Sequence, residues 1–499
     1  MKSEKIRNLL YIVLTSVFCI GSEVVSAQPV RLHPLNPHYL EYKGKPLILV
    51  TSAEHYGAVL NPAFDYVRYL NTLQKDGLNY TRIFTGSMYW ETEGDFGISD
   101  NTLAPARGTA LSPWKRSDSP GNTNGGNKFD LDQWDDKFFN RLKSFIEEAF
   151  KRDIIVEVTL FTSIYSEKSW GNAPVHSLNN VNNIGLSDYK IVHTLENGEL
   201  LKYQERFVKK IVTELNNYDN IFYEICNEPW ADQAAWGKKP NVWQKSALNN
   251  WNSRINIASD SSLAWQSHIT RLIADTEKTM QKKHLIAQNY CNEVYPVDDV
   301  DPNISIINFH YAWSEAVTLN YGWNKVIGFD ESGFAGSDDD TYRQQAYVFL
   351  ISGGGLFNNL DYSFAVGYED GTLTQKAPGG GSPALRKQLS VLRKFFDTFD
   401  FVSLTPDKEV VVLSPGAYAY AMSDRKEKYV IYITGTAKTL LLHIPEGEYQ
   451  LQWLRPEDGT IADVKTIQAK SPSTKIEIPD YTTDITLSVT KKSELKPEQ

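Results

Sequence analysis

The segment Ile221-Phe-Tyr-Glu-Ile-Cys-Asn-Glu-Pro229 joins an apolar run of β-forming residues to an abrupt polar end at Asn227-Glu228-Pro229. This composition predicts a buried strand that ends at Glu228. A second segment, Val326-Ile-Gly-Phe-Asp-Glu-Ser-Gly333, has the same construction and ends a strand at Glu331. A carboxylate is costly to place at the end of a buried strand, so two such residues indicate a shared chemical role.

Working outward from these segments, strand-forming runs alternate with amphipathic helical stretches over residues 28–403. The predicted strands are a first one that continues from a hairpin over 39–50, then 80–86, 154–161, 221–228, 284–290, 304–311, 325–331 and 356–361. The predicted helices are 62–76 with Asn61 as N-cap, 135–152, 203–215, 264–281, one capped at 338–340 that reaches 351, and 385–399. Eight strands that alternate with helices predict an α/β fold, the parallel (β/α)8 TIM barrel, with the two glutamates on strands four and seven.

The pattern changes near Thr405, where short alternating segments separated by turn residues replace the helical period. This favours a small antiparallel β-sandwich over 404–499 that ends in a polar tail. A fold alone carries no function, so we expect this domain to support the barrel, and glycan binding is the alternative.

The first 27 residues are typical of a signal peptide. Lys2, Lys5 and Arg7 precede an apolar stretch over 9–20, and Val25-Ser-Ala27 offers a cleavage site. We therefore expect export to the periplasm, the cell surface or the medium. No second long apolar run follows, so no integral membrane span is expected.

Two cysteines remain after such cleavage, Cys226 and Cys291. A disulfide is possible in an exported protein, but the predicted position of both residues at strand ends favours buried free thiols.

The net charge of −10 over 499 residues provides no basic surface for nucleic acid. No metalloprotease, P-loop, dinucleotide-binding or serine-hydrolase motif occurs, so neither metal nor cofactor is expected. The sequence does not set the oligomeric state. Long inserts follow predicted strands two, three and four on the face where barrel enzymes hold their sites, and we expect them to shape a substrate cleft. Tryptophans in or beside these inserts are Trp90, Trp114, Trp170, Trp230, Trp236, Trp243 and Trp251.

The placement of Asn227-Glu228-Pro229 on strand four, with Glu331 on strand seven, resembles the retaining glycoside hydrolases of clan A. The resemblance covers about residues 30–400 and is to cellulase-like family 5 barrels, with a C-terminal β-domain as in related bacterial hydrolases. It implies that Glu228 is the general acid/base and Glu331 the nucleophile in cleavage of a β-glycosidic bond. Retention independently needs one protonated carboxylic acid and one ionised carboxylate, about 5 to 5.5 Å apart.

The same resemblance implies substrate-binding roles for further residues. Arg82 corresponds to an arginine that hydrogen-bonds the nucleophile, and Asn227 to the asparagine that holds the sugar 2-hydroxyl. His310 resembles the histidine of a His-x-Tyr pattern, but this chain has His310-Tyr311-Ala312, so Tyr311 is a displaced candidate for the tyrosine. The family's strand-eight tryptophan is replaced by Asn358-Asn-Leu-Asp-Tyr362, which leaves substrate identity open. The remaining binding candidates are Glu54, His55, Trp90, Trp230 and Asp361.

Two alternatives to a hydrolase of oligo- or polysaccharides stay open at this point. A noncatalytic glycan-binding barrel would retain the fold without turnover. A transglycosidase would pass the same covalent intermediate to a sugar instead of water. The sequence does not distinguish sugar, linkage, or endo from exo action.

Overall fold

A computed structural model of the chain describes residues 28–54, 56–85, 90–185, 188–231, 239–240 and 254–492. Eight parallel strands form one sheet, in the order β1-β8-β7-β6-β5-β4-β3-β2. Strands β1 and β2 lie side by side, which brings the sheet near closure and confirms the predicted barrel. The strands are β1 (Leu49–Ala53), β2 (Tyr80–Phe84), β3 (Ile155–Thr162), β4 (Ile221–Asn227), β5 (Ile286–Asn292), β6 (Ile306–His310), β7 (Val326–Ser332) and β8 (Leu356–Leu360).

Helices surround the barrel. They are α1 (Tyr66–Asp76), α2 (Asp136–Phe150), α3 (Glu167–Asn172), α4 (Leu200–Leu215), α5 (Asp260–Glu277), α6 (Ser314–Asn320), α7 (Asp339–Ile351) and α8 (Pro383–Phe396), with single 3-10 turns at Asp95–Gly97, Tyr189–Ile191, Tyr321–Trp323 and Phe401–Ser403. The predicted start of the first helix is wrong. Asp65, not Asn61, is the N-cap, because its side chain accepts the N–H groups of Val67 and Arg68.

Short strands outside the barrel lie at the amino ends of the barrel strands and within the inserts. The hairpin predicted within 39–50 is present and turns at Lys43-Gly44. It pairs Leu40–Tyr42 with Lys45–Leu47, and Leu40–Tyr42 also pairs with Arg31–Leu32. The insert after β2 contains a hairpin that was not predicted, Trp114–Pro120 with Asn127–Trp134. A two-residue pairing joins Lys239–Pro240 to Arg254–Ile255.

The C-terminal region consists of two antiparallel sheets around their own apolar core, which confirms the predicted sandwich. One sheet contains, in order, Thr405–Pro406, Ala417–Ser423, Lys428–Gly435, Asp484–Lys491, Gly447–Leu454 and Ile461–Ala469, and the other contains Val411–Leu413, Thr439–Leu442 and Thr474–Glu477.

Helix α7 joins the sandwich to the barrel. Arg343 is completely buried and donates to both carboxylate oxygens of Asp484, at 3.1 and 2.6 Å. Tyr347 stacks on Tyr432 with ring centroids 4.9 Å apart, and Tyr432 belongs to the same apolar cluster as the barrel core. The buried ion pair and the shared apolar cluster show that the sandwich packs directly against the barrel.

Two smaller expectations concern the cysteines and the membrane. Cys226 and Cys291 are both buried free thiols, as expected. Within the described ranges, no helix combines the length and apolar character needed to cross a bilayer.

Candidate active site

The two glutamates lie at the carboxyl ends of β4 and β7. Glu228 directly follows β4 and has a positive φ of 47°, a conformation uncommon for a residue with a side chain. Two hydrogen bonds hold it there: Asn289 Oδ1 accepts its N–H at 3.2 Å, and Ser163 donates to its carbonyl oxygen at 2.5 Å. Glu331 lies within β7 and is nearly buried. Tight turns of this kind, held by neighbouring side chains, are typical of functional sites.

The carboxyl groups of Glu228 and Glu331 come close together. An oxygen of each, with a nitrogen of His310, falls in a group whose atoms all lie within 4.8 Å of one another. The Tyr311 hydroxyl lies between them, 3.0 Å from Glu331 Oε1 and 3.2 Å from Glu228 Oε1. A spacing this short is closer to the roughly 5 to 5.5 Å of a retaining pair than to the roughly 6.5 to 9.5 Å of an inverting one.

Arg82 lies beneath the two glutamates. Its fully buried guanidinium donates to Glu331 Oε2 at 2.9 Å, to Glu224 Oε2 at 2.5 Å and to Asn227 Oδ1 at 2.7 Å. It also lies 3.4 Å from Asp330 Oδ2. One cation therefore orients the Glu331 carboxylate and the Asn227 amide together.

Three buried carboxyl groups beneath the pair share this cation. Burial raises the pKa of Glu224 to about 7, against the attraction of Arg82 and with a contribution from Asp330. Burial, with Glu224 and Asp330, also raises the pKa of Glu157 well above its usual value. Burial would raise the pKa of Asp330 too, but His310 and Arg82 outweigh it and lower that pKa. The negative charge beneath the site thus concentrates on Asp330, beside the two cations.

Glu228 has its own set of partners. Tyr165 donates to Oε2 at 2.6 Å, and His310 Nδ1 lies 3.0 Å from Oε1. Burial alone would lower the pKa of His310, but the Asp330 and Glu331 carboxylates and hydrogen bonds to Asp330 and Glu228 raise it well above the usual value. These carboxylates therefore favour the protonated form of His310, whose Nδ1 lies within hydrogen-bonding distance of Glu228.

A narrow cleft opens above the pair. Phe96, contributed by the insert after β2, stands at its edge with 49% of its surface exposed, and its ring meets that of Tyr165 edge-on at 5.4 Å. Phe334, next to β7, packs edge-on against Tyr311 at 5.7 Å. The cleft lining comprises Tyr56, Phe84, Glu91, Phe96, Ile98, Tyr165, Asn227, Glu228, Tyr311, Glu331 and Phe334. Aromatic walls around carboxylates are suited to a ligand with both apolar C–H faces and hydroxyl groups.

Comparison with known proteins agrees with this chemistry. The family model for cellulase, glycosyl hydrolase family 5, matches residues 69–317, a range that runs from α1 into α6 and contains Arg82, Asn227, Glu228 and His310. The chain is a retaining glycoside hydrolase of clan A. The predicted resemblance to clan A glycoside hydrolases is thereby confirmed.

Solved structures share the whole architecture of the hydrolase. A candidate glycoside hydrolase from Bacteroides vulgatus ATCC 8482 superposes with a TM-score of 0.61 at 14% identity, over 94% of this chain and 83% of that one. A family 5 glycoside hydrolase from the same organism gives a TM-score of 0.60 at 12% identity, over 93% and 94% of the two chains. At such identities the likeness shows the fold. No curated protein sequence matches the chain.

Five sequence-predicted site residues of the hydrolase come together with the pair or directly behind it. Asn227 and Tyr311 line the cleft, whereas Arg82 and His310 contact the carboxylates from below. Trp230 is almost completely buried and meets the His310 ring edge-on at 5.5 Å, so it packs behind the site rather than facing the cleft.

Three candidates lie away from the cleft lining. Trp90 is completely buried and packs against Phe129 with ring centroids 5.7 Å apart, because the unpredicted hairpin folds over it; it is a core residue. Glu54 accepts the backbone N–H groups of Tyr56 and Gly57, both at 2.6 Å, and so shapes the loop after β1.

Asp361 is the third. It accepts hydrogen bonds from Ser52 at 2.7 Å, Ser363 at 2.5 Å and Arg386 at 2.9 Å, which makes it part of a buried structural ion pair. His55 lies outside the described residues, as do Trp236, Trp243 and Trp251.

Several residues of the hydrolase's site were missed by sequence reasoning. Glu224 and Asp330 lie inside the two quoted strands, and a carboxylate within a buried run was a signal that could have found them. Tyr165, Glu91 and Phe96 come from loops, where no periodic pattern marks the residues that face the cleft.

Two groups of side chains in the described residues have atoms at metal-ligand spacing: Glu224, His310 and Asp330, and Glu228, His310 and Glu331. Both groups include His310, whose raised pKa makes it a donor rather than a ligand. Arg82 occupies oxygens in each group. The donor set therefore fits a hydrogen-bonded acid/base network better than a cation site.

Proposed function

We propose that this glycoside hydrolase cleaves β-glycosidic bonds of an oligo- or polysaccharide by double displacement, with Glu331 as nucleophile and Glu228 as general acid/base. The observation that carries the proposal is the carboxyl pair, within 4.8 Å and bridged by the Tyr311 hydroxyl.

The nucleophile assignment rests on the contact with Arg82. A guanidinium that donates to Glu331 Oε2 at 2.9 Å favours the ionised carboxylate and fixes its orientation. In the first step a Glu331 oxygen attacks the anomeric carbon while the bond to the leaving oxygen breaks. The Tyr311 hydroxyl donates to Glu331 Oε1 at 3.0 Å and so helps to orient the attacking carboxylate.

The acid/base assignment rests on the His310 contact. His310 Nδ1 lies 3.0 Å from Glu228 Oε1, within hydrogen-bonding distance, and so holds this carboxyl group in position. As the general acid, Glu228 gives its carboxyl proton to the leaving oxygen. In the second step Glu228 takes a proton from water, the water oxygen attacks the anomeric carbon, and Glu331 leaves as a carboxylate.

The substrate class follows from the cleft and from the N-terminal segment. Phe96 and Phe334 offer apolar ring surface near the catalytic pair, which suits the C–H faces of sugars. The signal-peptide pattern over 1–27 supports export, so we place the substrate in the periplasm, on the cell surface or outside the cell.

Active-site labelling tests the proposal. A panel of 2-deoxy-2-fluoro-β-glycosyl fluorides should inactivate the enzyme by forming a stable ester, because the electronegative fluorine slows the second step more than the first when the leaving group is good. Peptide mass spectrometry should find the sugar on Glu331, and Glu331→Gln should not be labelled. A sugar attached to another carboxylate would refute the nucleophile assignment. Products with and without added sugar acceptor show whether water or a sugar takes the intermediate, which separates hydrolysis from transglycosylation.

A further inference from the structure

A third carboxyl group, Glu91, lines the cleft together with Glu228 and Glu331. It comes from the insert after β2 and is only 7% exposed. Nothing in the double-displacement chemistry requires it. A buried carboxyl group in a substrate cleft is expensive, so its position calls for an explanation.

The surrounding loop holds Glu91 in a defined orientation. Asn101 Nδ2 donates to Glu91 Oε2 at 2.5 Å, and Asn101 Oδ1 accepts the N–H of Leu103 at 2.9 Å, which fixes which end of the amide faces Glu91. The Glu91 N–H also donates to the Leu103 carbonyl oxygen at 3.3 Å. Glu91 is thus preorganised, as a ligand-binding group should be.

The charge state of Glu91 suits a neutral ligand. Burial raises the pKa of Glu91 to about 8, and Asp95 adds to this, while Asn101 and Lys168 act in the opposite direction. Below that pH the group is mainly a carboxylic acid, which can donate one hydrogen bond and accept another. A sugar hydroxyl group offers the complementary donor and acceptor.

The rest of the cleft disfavours an anionic sugar. Among the residues that the structure describes, the cleft lining includes three carboxyl groups and neither lysine nor arginine. Arg82 lies beneath the lining, and its guanidinium is already bound to Glu331, Glu224 and Asn227. Lys168, the other described cation that acts on Glu91, is paired with Asp95 at 2.6 Å. A sugar carboxylate or sulfate would therefore lose its hydration and face three carboxyl groups, while the described cations nearby are already paired.

We propose that Glu91 is a specificity-determining residue that hydrogen-bonds a hydroxyl group of the sugar beside the catalytic pair and restricts that position to uncharged sugars. This inference rests on the proposed function. It adds the substrate class: a neutral β-glycan rather than a uronate-containing or sulfated one.

Steady-state kinetics on matched aryl β-hexosides and aryl β-hexuronides, which differ only in a CH2OH or a carboxylate at C5, test this at pH 6. The wild-type enzyme should prefer the neutral member by about a hundredfold or more in kcat/KM. Glu91→Ala should raise KM for the neutral substrate about tenfold, the scale of one or two lost hydrogen bonds, with little change in kcat. Glu91→Gln, whose amide also donates and accepts, should restore KM to within about threefold of wild type.

A matched control and a charge reversal sharpen the test. Glu93, two residues away on the same loop, is exposed, so Glu93→Ala should leave both constants unchanged. Glu91→Lys supplies a cation and should raise hexuronide cleavage relative to hexoside cleavage at least about tenfold. Equal cleavage of both substrates by the wild type, or Glu91→Ala kinetics that match those of Glu93→Ala, would overturn the inference. In either case, continued labelling of Glu331 by the fluorosugar would show that the proposed function itself still holds. If the wild type showed neither turnover nor labelling, the proposed function would be refuted, and this inference with it.

Discussion

The two ends of the barrel are built from the same eight strands but from opposite chemistry. At the amino ends the strands contribute an apolar layer, one residue from each: Leu49, Tyr80, Ile155, Phe222, Ala287, Ile306, Val326 and Leu356. At the carboxyl ends and just below them lie Arg82, Glu157, Glu224, His310, Asp330, Glu228 and Glu331, almost all of them buried. The side chains of one end pack as an apolar layer, whereas those of the other compensate buried charge with opposite charge.

This division separates stability from function within one fold. An apolar layer accepts one apolar side chain in place of another of similar volume, but the loss of side-chain volume lowers its stability. The charged end is the reverse, because in the proposed mechanism its residues transfer protons and orient one another at a cost in desolvation. Substitutions at the charged end should therefore lower catalysis more than stability, whereas substitutions at the apolar end should lower stability more than catalysis.

The largest effect is expected at the charged end. Glu331→Gln should lower kcat/KM by on the order of a thousandfold or more, since no carboxylate is then available to form the glycosyl ester. The side-chain shape is kept, so the apparent melting temperature should change little. Turnover within tenfold of wild type on a natural glycan would contradict the claim that catalysis depends on Glu331 at the charged end.

A substitution that opens a cavity tests the apolar end. Phe222→Ala should reduce the free energy of unfolding by about 3 to 5 kcal/mol, because it opens a cavity in a completely buried layer. The folded fraction should keep its kcat and KM within about twofold. Phe222→Leu, which retains more volume, is the control and should cost less. A large loss of kcat in folded Phe222→Ala protein would show that the two ends are coupled.

A smaller effect is expected where the sandwich meets the barrel. Tyr347→Leu removes the stacked contact with Tyr432 and should cost about 1 to 2 kcal/mol of stability, with catalysis unchanged. Denaturant unfolding followed by intrinsic fluorescence measures this. An unchanged stability would mean that the sandwich is not a support for the barrel.

The effect at Glu91 is a pH-dependent difference in stability. Its pKa is about 8 in the folded protein against an ordinary value of 4.5, so between these values the folded protein holds a proton that the unfolded chain has released. Stability should therefore fall as pH rises through this window. Glu91→Gln should remove that slope, and its melting temperature relative to wild type should rise by a few degrees from pH 5 to 8. Glu93→Gln should show no such trend.

Much of the barrel could be predicted because its strands and helices have clear periods. Glu228 and Glu331 were found because each ends an apolar run abruptly, and the clan resemblance placed Arg82 and Asn227. Tyr311 was found only as a displaced candidate, and its positive φ of 52° is the backbone turn by which the chain directs this residue between the carboxylates.

The errors have physical causes as well. Asn61-Pro62 has the composition of a helix start, but Asn61 caps a turn through Ala63, and Asp65 begins the helix. Trp90 was expected in the cleft because its loop lies there, yet loop position does not say which way a side chain faces. Glu91, the next residue, is the one that lines the cleft.

The most direct test of the catalytic assignment is azide rescue of two alanine variants on an activated aryl β-glycoside. Without the acid/base, azide replaces water at the glycosyl ester, so Glu228→Ala should recover activity and release the β-glycosyl azide. Without the nucleophile, azide attacks the substrate directly from the opposite face, so Glu331→Ala should release the α-glycosyl azide. NMR of the products identifies each anomer. The exchanged pattern, or the same anomer from both variants, would contradict the assignment of Glu331 as nucleophile and Glu228 as acid/base.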